Sequence, residues 1–78
     1  MSDDQLLDQV AQAIADARAE SLKLGVSPKE IAKIMMDEAT LALIAEGKSL
    51  TGIQGAFRRY AKKDLVRFYT NLRNDWER

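Results

Sequence analysis

Apolar positions recur along this chain at helical intervals. Leu7, Val10, Ile14, Ala17, Ser21 and Leu24 follow a 3-4-3-4-3 spacing, which places them in one coiled-coil-like seam along a helix. No stretch alternates apolar and polar residues in the manner of a strand. Gly25 closes this first segment and suits the left-handed residue that ends a helix. Val26-Ser27-Pro28-Lys29-Glu30 opens the next one. Ser27 suits its cap, Pro28 fits the first turn and Glu30 completes a capping box. Gly47 stops this second segment. Beyond it, Thr51 with Gln54 makes a weaker box, and Ser49 is a competing cap. The pattern predicts three helices, over about residues 4–24, 28–46 and 51–76.

The second helix is apolar around most of its circumference. Ile31, Ile34, Met35, Leu41, Ala42 and Ala45 share one face, and Ala32, Met36, Ala39 and Leu43 extend it. Such a helix is normally central and covered on two sides. A second copy of the chain would cover it through Ala32, Met35, Met36, Ala39 and Leu43, the expected dimer interface. Ile44 falls among polar residues as a lone exposed apolar side chain. Glu38 lies inside the apolar arc. A buried carboxylate is costly unless paired, so an ion pair or hydrogen bond is expected for it, with a shifted acid in a pocket as the other reading.

The third segment places Leu50, Ile53, Phe57, Ala61, Leu65, Phe68 and Leu72 on one face, with Tyr60 at its edge. Asp64, Asn71 and Asp75 interrupt that face. Asp64 follows two lysines and is able to cap a separate fourth helix. Lysine and alanine do not break helices, so one continuous helix is expected. The opposite half carries Arg58, Arg59, Lys62, Lys63, Arg67 and Arg73, with Val66 and Tyr69 among them. This basic face, interleaved with apolar and aromatic residues, is the expected partner-binding surface. It suits an acidic protein surface, the phosphates of a nucleic acid or an anionic membrane surface.

Charge sharpens the picture. The chain has 12 basic and 12 acidic residues. Residues 1–46 hold nine acids and four bases, or −5, and residues 47–78 hold eight bases and three acids, or +5. Acidic and basic helices therefore neutralise one another, or the basic part meets an anionic partner. The Gly25-Val26-Ser27 turn between two helices resembles the turn of a helix-turn-helix, whose following helix reads the major groove. Here that helix exposes Glu30, Lys33, Asp37 and Thr40, and acids facing phosphate repel. A pI of about 6.2 also weighs against strong nucleic-acid affinity.

Composition closes off much of the chemistry. With no cysteine and no histidine, disulfides, Cys/His zinc sites, thiol nucleophiles and histidine acid–base catalysis fall away. Gly52 and Gly55 stand at a helix start without a P-loop or dinucleotide pattern. Asp3, Asp4 and Asp8 favour a helix N-terminus and make a poor cation cage. No apolar run reaches the ~20 residues of a membrane span, and the acidic Met-Ser-Asp-Asp start lacks signal-peptide features. A cytoplasmic location is expected. A chain of 78 residues and 8.8 kDa is one domain, and a compact fold of that mass exposes about 4,800 Å². The expectation is therefore an all-α, single-domain three-helix bundle, with four helices if the third breaks near Asp64, assembled as a homodimer. It would be a non-enzymatic protein-interaction module, an adaptor or regulator with no cofactor, metal or small-molecule substrate. The alternative function is a nucleic-acid-binding regulator using the basic helix.

Overall fold

The computed structural model describes residues 2–76. The fold is all-helical, with no strand among the described residues. Helix α1 runs Asp3–Lys23 and α2 runs Pro28–Ala45. A third helical run is built from α3 (Leu50–Arg59), a π-helical turn (Tyr60–Asp64) and α4 (Leu65–Trp76). Packing divides the chain into two compact units, residues 1–38 and 39–78. Glu77 and Arg78, counted with the basic part of the sequence, lie outside the described residues.

Local hydrogen bonding accounts for the helix ends. Ser2 caps α1 through a reciprocal box, in which Ser2 Oγ accepts from the Gln5 amide at 3.3 Å and Gln5 Oε1 accepts from the Ser2 amide at 3.2 Å. Asp3 and Asp4 in the first turn and Lys23 in the last suit the helix dipole. Ser21, a polar member of the α1 seam, donates its hydroxyl to the Ala17 carbonyl at 2.8 Å. It is thereby satisfied without a partner outside the helix.

The two connections are the same corner built twice, 22 residues apart. Gly25 and Gly47 take φ of +92° and +86°, the left-handed conformation that glycine adopts without strain. The amides of Val26 and Lys48 donate to the carbonyls of Ser21 and Leu43, each at 3.1 Å. Those of Gly25 and Gly47 donate to Leu22 and Ile44 at 3.1 and 2.9 Å. Both ends are therefore Schellman motifs. Ser27 and Ser49 then cap the following helices, accepting from the amides of Glu30 and Gly52 at 3.2 Å each. Ser49, rather than Thr51, is the second cap, because its hydroxyl sits three residues before the orphan amide of Gly52. Glu30 behaves differently from a standard box: its Oε1 accepts the Ser27 hydroxyl at 3.0 Å.

Each corner buries one isoleucine, at the equivalent position. Ile31 and Ile53 are the buried apolar residues among those described, and each donates its amide to the capping serine's carbonyl. Four residues on, Met35 and Phe57 are half-buried in turn. Leu43 is half-buried too, and much of the other apolar surface of α2 is exposed. Ile34, Met36 and Leu41 are 56, 58 and 57% exposed, little different from Ile44 at 54%. Glu38 is exposed as well. The buried pairing expected for it is not needed, because solvent reaches the arc in which it lies.

The third run neither breaks nor stays regular. Tyr60 and Leu65 keep right-handed helical backbone, and the Leu65 amide donates to the Tyr60 carbonyl five residues back. This is a π-turn, one extra residue in the helix. The apolar spacing explains it. Ile53, Phe57, Ala61 and Leu65 recur every fourth residue. In an α-helix each such step runs about 40° past the axis-parallel line, so three steps drift by roughly 120°. One inserted residue restores about 100° of that drift. It brings Leu65, Phe68, Leu72 and Trp76 back into line with Ile53 and Phe57. It also turns Asn71 and Asp75 towards the edge of the apolar face that a regular helix would have them interrupt.

Candidate interaction surface

The eight residues expected to bind a partner all lie on this third run. Arg58 and Arg59 end α3, Lys62 and Lys63 sit in the π-turn, and Val66, Arg67, Tyr69 and Arg73 belong to α4. All are exposed, and the backbone carries them without a break. Residues 50–76 hold six bases and two acids, or +4. The bases at the end of α3 are also well placed against its C-terminal dipole. Arg59 extends back along the helix, where Nη1 lies 3.4 Å from the place a Cβ on Gly55 would occupy.

Among the described residues, no carboxylate pairs with Arg58, Arg59, Lys62, Lys63 or Arg67. An ion pair forms instead on α2, where Lys33 Nζ lies 2.8 Å from Asp37 at a four-residue spacing. That pair is well exposed and contributes a few tenths of a kcal/mol. Arg73 is engaged locally. Its Nη1 donates to the Tyr69 hydroxyl at 3.1 Å, and its guanidinium stands 5.8 Å from the ring centre, within cation–π range. Tyr69 and Arg73 thus present one composite polar–aromatic feature.

No protein-family model matches the chain, and no curated protein or solved structure matches it.

Beside the basic residues runs an exposed apolar stripe. Leu65, Phe68, Tyr69 and Trp76 are exposed, Trp76 to 75%, while Phe57 and Leu72 are half-buried. Phe57, Leu65, Phe68 and Leu72 are expected on this face from the sequence, and Tyr69 on the basic one. The fourfold spacing from Ile53 to Leu65 drifts round a regular α-helix, and the π-turn keeps these residues together. On α2, the residues expected at the dimer interface divide: Ala32, Met36 and Ala39 are exposed, Met35 and Leu43 half-buried. Their spacing puts all five on one side of that helix.

Among the described residues, no group of three acidic, histidine or cysteine side chains is placed to hold a metal ion. No helix there is long and apolar enough to cross a membrane. The surface offers donors, positive charge and aromatic area, which suit binding by complementarity.

Proposed function

We propose that this protein is a non-enzymatic helical interaction module of the cytoplasm, an adaptor or regulator that binds an acidic protein surface. It acts as one domain, a three-helix bundle, and as a homodimer with Ala32, Met35, Met36, Ala39 and Leu43 in the interface. One observation carries the binding reading. An unbroken helical run exposes Arg58, Arg59, Lys62, Lys63 and Arg67 without ion-pair partners among the described residues, beside exposed Val66 and Tyr69. Unpaired bases steer an acidic partner and set its register, and adjoining apolar and aromatic area supplies the affinity.

The test is the double reversal Arg59→Glu with Lys63→Glu in the full chain. Cross-linking mass spectrometry in cells should lose the partner cross-links to residues 58–73, by roughly tenfold or more. Circular dichroism should show unchanged helicity. Undiminished cross-links would remove this surface from the function. Anisotropy titration with a 20-base-pair duplex between 50 and 200 mM salt separates the nucleic-acid alternative. Phosphate binding weakens steeply over that range, and a tight, salt-steep affinity would replace the protein-partner reading.

A further inference from the structure

The face of α2 assigned to the dimer is complementary to its own reversed image. Lys29, Ala32, Met36, Ala39, Leu43 and Glu46 follow a 3-4-3-4-3 spacing, which keeps them in one seam along the helix. Helix α2 is continuous over Pro28–Ala45, and the Glu46 amide donates to the Ala42 carbonyl at 3.2 Å, so the last position keeps the helical turn. The seam is symmetric about the point between Asp37 and Glu38. Across that point Met36 corresponds to Ala39, Ala32 to Leu43 and Lys29 to Glu46. Each correspondence joins opposites. Two set a long apolar side chain against a methyl group, and the third sets a base against an acid.

The end charges carry the orientation. Lys29 stands in the first turn of α2 and Glu46 directly after its last residue. Each is therefore at the end of its own helix dipole that repels it. Neither is in an ion pair among the described residues. A second α2 running the opposite way removes both faults, because it brings Glu46 of one copy to Lys29 of the other and the opposite dipole end to each. A second α2 running the same way sets Lys29 against Lys29 and Glu46 against Glu46. Size agrees with charge. In the antiparallel pair every long side chain of the seam faces an alanine, the alternation that lets helix axes approach to about 8 Å. Ala32 and Ala39 are exposed, and Met36 is 58% exposed.

We infer that the homodimer is an antiparallel α2 pair about a two-fold axis at the midpoint of the seam. Ala32 meets Leu43 of the second copy, Met36 meets its Ala39 and Lys29 meets its Glu46, and the two-fold repeats each contact in reverse. The inference rests on the dimeric reading proposed for the function and adds the direction and register of the pair. It uses none of the bases assigned to the acidic partner.

The test uses the full chain, which has no cysteine of its own. Ala32→Cys is placed in one tagged chain and Leu43→Cys in another. In the antiparallel register these two positions face each other, whereas two copies of either lie about 16 Å apart along the axis, beyond disulfide reach. After mixing and mild oxidation, the mixed disulfide should exceed either homodimeric disulfide by roughly fivefold or more. Light scattering on the unmodified chain should give twice the 8.8 kDa chain mass. Charge supplies a second readout. Lys29→Glu and Glu46→Lys should each weaken the dimer by roughly tenfold, and both together in one chain should restore it. Each single change suits the α2 dipole better than the native residue does, so a lost helix does not account for the weakening. A dimer that forms homodimeric disulfides at both sites and is unmoved by the charge changes is parallel, which overturns the inference and leaves the α2 interface standing. A dimer that forms no disulfide from either site and is unmoved by the charge changes overturns the inference and the α2 interface. A monomeric mass overturns the inference together with the dimeric reading.

Discussion

The corner between α1 and α2 and the corner between α2 and α3 share their backbone and differ in the residues after the cap. In both, a left-handed glycine, a capping serine and a buried isoleucine come in the same order and at the same spacing. After the first, Pro28 presets the helical φ, and the Glu30 carboxylate takes the Ser27 hydroxyl at 3.0 Å. The helix that results is regular for 18 residues. After the second, Gly52 stands where Glu30 stood and has no side chain to return the bond. Gly55 comes within the same turn, and each glycine weakens a helix by roughly 1 kcal/mol relative to alanine. This α3 lasts 10 residues before the π-turn. The hydrogen bonds of a corner thus fix the direction of the chain, while the apolar spacing further along decides whether the next helix keeps its period.

The comparison is broken most directly at its isoleucines. Ile31→Ala and Ile53→Ala should each cost about 3 kcal/mol, from lost burial and an unfilled cavity. Urea unfolding followed by circular dichroism measures both. Equal costs support equivalent corners, whereas a cost below about 0.5 kcal/mol at either would show that isoleucine to be no anchor. The caps are next. Ser27→Ala should cost about 1 kcal/mol and Ser49→Ala somewhat less, since only Ser27 also holds a carboxylate. The reverse order in thermal melts would show that the Glu30 contact adds nothing. The smallest effect sharpens the contrast instead of breaking it. Gly52→Ala should raise stability by roughly 0.5 kcal/mol through a less flexible unfolded chain. A Cβ there would meet Ser49 Oγ at 3.6 Å and Lys48 carbons at 3.8 Å, ordinary contacts. A lower melting midpoint would mean the second corner requires its glycine.

Much of this architecture was legible from residues within six positions of one another. Gly25 with Ser27 and Pro28 located the first corner, and Gly47 located the second. The second cap was harder, since Ser49 and Thr51 are chemically alike and differ only in which amide each can reach. The basic surface was legible as a set of residues, because Arg58 to Arg73 fall on a helix under either reading of the Asp64 region. Its alignment with the apolar stripe was not. Periodicity alone weighed a break at Asp64 against a regular helix, and the π-turn answers the same fourfold spacing while keeping the backbone helical.

The sequence by itself determined that the protein is helical, where its three helical runs begin and end, and how charge divides between its halves. These features arise from short-range hydrogen bonds, backbone preferences and residue identity, none of which needs a distant partner. Only the tertiary structure decided that Ile31 and Ile53 are buried while Ile34, Leu41 and Trp76 remain exposed. It also decided that a π-turn draws Phe57, Leu65 and Leu72 into one stripe. Burial depends on which surfaces meet, and residues of equal hydrophobicity on one helix are not equally placed to meet them.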